Sequence, residues 1–190
     1  MSRATRLSSQ DWADAALSAL RERGPGAVAV EPLARVLGAT KGSFYWHYRN
    51  REALLEAALS RWETQETDAV MAEAERGGSP TDKLIRLFAV ILEHAGRHPG
   101  HLGLHTVDDP VVARAVARVS QRRIDYVQAL LVAGDVPAPE ASRRAQLLFA
   151  MVLGLDGLAS LPEQLPTHHA RAAWVQSAVA MAFSPTGPAD

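Results

Sequence analysis

Cysteine is absent from the 190 residues. That excludes disulfides, thiolate zinc sites, iron–sulfur clusters and a cysteine nucleophile, and it fits a reducing compartment. Long apolar runs are also lacking. The longest, Leu147 to Leu155, has nine residues, whereas a membrane span needs about 20. Arg3 and Arg6 near the start are followed by no apolar stretch, so no secretory signal is expected there. The expected location is cytoplasmic, with no membrane partner. Lysine is scarce, Lys41 and Lys83 being the only two among 20 basic residues. Net charge is −1, so any attraction for a polyanion must be local.

The charge that is present is unevenly spread. Residues 1–62 carry nine Lys/Arg against six Asp/Glu, and the remainder eleven against fifteen. A basic N-terminal third points to a polyanionic partner at that end. Apolar residues make up 47 %, as in an ordinary globular chain.

The apolar spacing is helical nearly throughout and predicts an all-α fold of about nine helices. Ser9 is expected to cap a first helix bearing Trp12, Ala16, Ala19 and Leu20, which stops at Gly24-Pro25-Gly26. A short helix with Val30, Leu33, Ala34 and Leu37 on one face ends at Gly38. Thr40 is expected to cap a helix over Lys41–Tyr48, and Asn50 a longer one from Arg51 to about Arg76. After the break at Gly77-Gly78-Ser79-Pro80, helices are expected from Thr81, from Pro110 to about Ala133, over Glu140–Leu161 and over Thr167–Phe183.

Residues 29–48 read as helix, glycine turn, helix, the helix-turn-helix arrangement. Phe44 and Tyr48, four residues apart, anchor the second helix. Its other face presents Thr40, Lys41, Ser43, Tyr45, Trp46 and His47. Four consecutive bulky residues from Tyr45 cannot all face inward at about 100° per residue, so some of the rings point outward. Such a face suits DNA. Gly42 and Ser43 permit close approach to base edges, and Lys41 can donate to guanine. Hydroxyl, indole and imidazole groups can donate to phosphates. Arg49 and Arg51 flank the segment. The plainer alternative is a set of core aromatics in a helical hairpin.

The run from Val30 to Leu55 resembles the DNA-binding domain of the tetracycline-repressor (TetR) family. Its Lys-Gly-Ser-Phe-Tyr-Trp-His-Tyr core at 41–48 and the Asn50-Arg51 helix start carry the likeness, which extends over about residues 7–66. The resemblance implies an N-terminal three-helix DNA-binding domain over 7–66. A helical ligand-binding and dimerisation domain would then occupy 67–183. It implies a transcriptional regulator, a repressor that binds a palindromic operator in double-stranded DNA as a homodimer and is released by a small apolar or aromatic effector. By the same resemblance Thr40, Lys41, Gly42 and Ser43 approach bases or the nearby backbone. Tyr45, His47 and Arg51 hold phosphates, and Trp46 does either. One departure is that Ala29, Val30 and Glu31 stand where the second helix usually begins with Ser or Thr. A carboxylate at Glu31 cannot hold a phosphate, although it can accept from a cytosine amino group.

In the C-terminal part, apolar residues surround the Glu140–Leu161 helix, so burial on more than one side is expected. With the last helix it is expected to form the homodimer interface. Phe88, Leu92, His105, Tyr126, Phe149 and Trp174, with Met151, are candidates for an effector pocket, the alternative for each being plain core. His94, His98, His101 and His105 are the one potential metal cluster, and exposed polar residues in a connector are the reading preferred there. No metal or cofactor is expected. Neither a nucleophile elbow nor a phosphate loop is present, so no enzyme is expected. A helical metal- or partner-binding module with weak DNA binding is the competing reading.

Overall fold

The computed structural model describes residues 7–97, 108–158, 167 and 170–185, the side chains of 94–97 and 156–158 excepted. Among these every regular element is helical. They are α1 (Ser9–Arg23), α2 (Val30–Val36), α3 (Lys41–Tyr45), α4 (Arg51–Glu63), α5 (Ala69–Ala74), α6 (Pro80–Arg97), α7 (Pro110–Ala133), α8 (Ala138–Leu158) and α9 (Arg171–Phe183). A 3₁₀ turn occupies Pro25–Ala27 and a π-turn Thr64–Asp68.

Two compact units divide the chain. The first runs to Glu66 and takes in the start of α7 up to Ala117; the rest forms the second.

In the first unit, α1 is capped by Ser8, one residue earlier than expected. Ser8 Oγ accepts from Asp11 N at 3.2 Å while Asp11 Oδ2 accepts from Ser8 N at 2.7 Å. This reciprocal box needs a carboxylate three residues past the cap, which Ser8 has in Asp11 and Ser9 lacks in Trp12. Trp12, Ala16, Leu17 and Leu20 on α1 are buried, as are Leu54, Leu55, Ala58, Leu59 and Trp62 on α4, and the two helices pack together. Arg61 forks onto Asp14 at 2.8 and 3.0 Å, tying α4 to α1 at the surface. Gly38 lies at φ 62°. Only a residue without Cβ takes that conformation freely, and it turns the chain from α2 into α3. The helix expected from Arg51 to about Arg76 is helical through Ala74, with a π-helical turn at Thr64–Asp68 that the apolar periodicity does not encode.

The second unit is a helical bundle. Its core joins Val70 and Ala74 of α5, Leu84, Leu87, Phe88 and Leu92 of α6, and Leu130 and Leu131 of α7. Ala141, Ala145, Leu148, Val152 and Leu155 of α8 and Val175, Ala178, Val179 and Ala182 of α9 complete it. Ser79 caps α6, its Oγ accepting from Asp82 N at 3.1 Å. In the part of α7 that belongs to the first unit, Asp109 caps the helix by accepting from Val111 N and Val112 N.

Arg144 of α8 is committed at the end of α9. Its guanidinium donates to Ala182 O at 2.9 Å, to Ser184 O at 2.7 Å and to Glu140 Oε1 at 2.7 Å. It thereby supplies donors to carbonyls that the end of α9 leaves without helical partners.

Gly77 is tightly enclosed. A Cβ there would lie 2.5 Å from Lys83 N and 2.8 Å from Asp82 C. Both are backbone atoms of α6 and cannot swing aside. Gly77→Ala is expected to destabilise the chain by about 1–3 kcal/mol through overpacking. Thermal denaturation checks this, and an unchanged midpoint would refute it.

Candidate nucleic-acid interface

The site is built on a small core. Phe44 is fully buried and meets Trp12 edge-on, with ring centroids 5.4 Å apart. Tyr48 stacks on Phe44 at 5.9 Å and donates its hydroxyl to Ser9 O at 2.7 Å. Burial, followed by the charge of Asp14, pushes the Tyr48 hydroxyl pKa up, so it remains a donor. These contacts hold the inner face of α3 against α1 and leave the outer face free.

The α-helix itself is shorter than the sequence suggests and ends at Tyr45, although His47 N and Tyr48 N still donate to Phe44 O. Thr40 caps it, accepting from Ser43 N at 3.2 Å. Thr40, Lys41, Gly42 and Tyr45 are exposed, and Ser43 and His47 are half-buried. Trp46 is 82 % exposed and Tyr45 55 %. Large rings standing in water are costly for a free protein unless a partner covers them. The run from Thr40 to His47 thus lies at the surface, with Phe44 alone of it fully buried.

Arg51 differs from the expectation of a free phosphate-holding side chain. Its Nε donates to Val28 O at 2.7 Å and its Nη2 to Pro25 O. The side chain braces the turn between α1 and α2, and its spacing from Pro25 gives no sequence signal of this. Asn50 caps α4 as expected, accepting from Ala53 N at 2.8 Å.

Lys41 also has a partner. Its Nζ lies 2.7 Å from Glu31 Oε1 on α2. Hydrogen bonding to Lys41 and its charge hold the Glu31 carboxyl below its ordinary value, and the same pairing raises Lys41. Both groups stay ionised at neutral pH.

Residues 13–58 match the family described as bacterial regulatory proteins, tetR family. The N-terminal domain belongs to the TetR family. Solved structures extend the likeness to the fold of the whole chain. A TetR-like transcriptional regulator from Rhodococcus sp. RHA1 superposes with a TM-score of 0.74 at 19 % identity, covering 98 % of this chain and 100 % of that one. The reduced form of NemR from E. coli gives 0.73 at 18 % identity over 89 % and 95 %. FadR from Bacillus subtilis, in complex with stearoyl-CoA, gives 0.62 at 15 % identity over 95 % and 100 %. Comparison with curated proteins by sequence finds no match.

The effector candidates lie apart from so clear a pattern. Phe88 and Leu92 are buried in the bundle core of the second unit, Tyr126 and Phe149 are half-buried, and Trp174 is exposed. Tyr126 donates its hydroxyl to Glu75 Oε1 at 2.7 Å, and Glu75 Oε2 also pairs with Lys83 at 2.6 Å. A depression of about 480 Å³ on α7, lined by Asp125, Gln128, Ala129, Val132 and Ala133, contains none of the candidates. His105 lies outside the described residues, as do His98, His101 and the side chain of His94. No helix among the described residues is long and apolar enough to cross a membrane.

Proposed function

We propose that this chain is a ligand-responsive, DNA-binding regulator of transcription, acting as a repressor on a palindromic operator. The observation that carries this is the exposed outer face of α3 on a TetR-family helix-turn-helix. Thr40, Lys41, Gly42 and Ser43 enter the major groove, while Tyr45, Trp46 and His47 grip the flanking backbone. Arg51 serves mainly to position the α1–α2 turn, and its backbone N–H, in the first turn of α4, is the group it would offer to a phosphate. The DNA-binding domain spans about residues 7–66, and 67–183 form the ligand and dimer domain.

Dimerisation through α8 and α9 is supported by their outward faces. On α8, Leu147, Ala150 and Gly154 share one exposed stripe; on α9, Trp174, Ser177 and Met181 share another. Leu147 is 69 % and Met181 60 % exposed. Apolar stripes with small residues between them suit helix-on-helix packing in a symmetric pair. Such a pair sets two recognition helices one turn of DNA apart, about 34–36 Å. A small apolar or aromatic effector in the C-terminal bundle would favour a conformation with a different spacing and so lower operator affinity.

Fluorescence anisotropy with duplex DNA across a salt series tests the reading. Affinity is expected to fall steeply with salt, as phosphate contacts require. Tyr45→Ala is expected to weaken binding about tenfold, the order of one lost contact to the backbone, with an unchanged circular dichroism spectrum. Salt-independent binding, or a Tyr45→Ala variant as tight as the parent, would remove this face from the interface.

A further inference from the structure

Glu31 is out of place on a surface that meets phosphates. It stands in the first turn of α2, exposed, with Oε1 2.7 Å from Nζ of the exposed Lys41 at the start of α3. The turn at Gly38 brings these residues of two helices together. A carboxylate is repelled by the DNA backbone. What the major groove offers it is an amino donor, cytosine N4 or adenine N6.

We propose that Glu31 and Lys41 act as one reader of a single G·C base pair, the ammonium on guanine and the carboxylate on cytosine. This deepens the DNA-binding reading above and rests on it. Guanine O6 and cytosine N4 are joined by a Watson–Crick hydrogen bond, so acceptor and donor stand about 2.9 Å apart. The Nζ–Oε1 separation of 2.7 Å nearly matches that spacing. Set edge to edge, Lys41 donates to O6 while Glu31 accepts from N4.

A T·A pair presents thymine O4 beside adenine N6 at the same spacing, so spacing alone does not choose between the two. The flanking groups do. Beyond O6, guanine offers N7, a second acceptor for an ammonium with three donors; thymine offers a methyl group. Beyond N6, adenine offers N7, an acceptor set against the carboxylate; cytosine offers only C–H. The reversed pairs, C·G and A·T, place donor against donor and acceptor against acceptor.

The test uses the full chain, selection from random duplex DNA, and anisotropy on duplexes carrying each of the four base pairs at every selected position. The unmodified chain is expected to favour G·C by about tenfold or more at one position in each half-site. Glu31→Ala is expected to flatten the preference there and leave other positions unchanged. The charge-swapped double variant, Glu31→Lys with Lys41→Glu, is expected to favour C·G at that position. Circular dichroism verifies that both variants remain folded. The proposal is overturned if Glu31→Ala tightens binding to every duplex by one common factor, since the carboxylate is then only a general brake. It is also overturned if the swapped variant keeps the original preference. Failure of the unmodified chain to bind any duplex would instead overturn the DNA-binding reading itself, and is seen before either variant is compared.

Discussion

Replacing Phe44 with alanine is expected to cost the first unit about 3–5 kcal/mol, the range for emptying a fully buried aromatic site. Phe44 is fully buried and its ring meets Trp12, Tyr45 and Tyr48, with centroids between 5.0 and 5.9 Å. Those contacts add to its burial, and they attach a five-residue helix that is too short to be stable alone. The loss is comparable to the whole stability of a small domain, about 5–15 kcal/mol. Chemical denaturation monitored by tryptophan emission should therefore show the transition at markedly lower denaturant, and DNA binding should vanish with it. A loss below about 1 kcal/mol would mean that α3 is held by something other than this ring cluster. Tyr45→Ala removes one ring contact to Phe44 but no buried side chain, so it is expected to shift that transition far less, by about 0.5–1.5 kcal/mol, and the two variants separate folding from recognition.

The second large effect concerns the outward face of α8. Leu147→Asp is expected to turn the proposed dimer into monomers at micromolar concentration. Burying a leucine is worth about 1.5–3 kcal/mol, and two-fold symmetry counts each substitution twice. The expected loss is about 3–6 kcal/mol, or roughly 10²- to 10⁴-fold in dissociation constant, before the added cost of a carboxylate in an apolar seam. Sedimentation equilibrium reads this directly. Since Leu147 is exposed in the single chain, the helical circular dichroism signal should persist. Operator affinity should fall as well, because one recognition helix alone reads half a site. A variant that remains dimeric would move the interface elsewhere, and an unmodified chain that is monomeric throughout would abolish it.

These outcomes divide along the line between what is local and what is distant. The breaks at Gly24-Pro25-Gly26, Gly38 and Gly77–Pro80 were legible because glycine and proline act on the backbone within a residue or two. The cap at Ser8 is a local signal too, carried by Asp11 three residues beyond it. Angular spacing required some of the rings on α3 to point outward, and the resemblance to the TetR family supplied the rest of the candidate face. Arg51 looked like a free cation from its neighbours, yet its partners at Pro25 and Val28 lie 26 and 23 residues away. Arg144 and the carbonyl of Ala182 are 38 residues apart. The all-round apolar character of α8 announced burial on two sides without saying which side the chain covers itself.

The sequence by itself determined the all-helical class, the helix-turn-helix and the run of residues that forms its second helix, because helix period, caps and turns are properties of adjacent residues. Tertiary structure alone decided which charges are committed. Glu31 sits on Lys41, Arg51 on the α1–α2 turn and Arg144 on the end of α9, while Leu147 is left bare. The physical reason is that pairing depends on through-space distance, and a hydrogen bond between residues tens of positions apart exists only once the helices between them have packed.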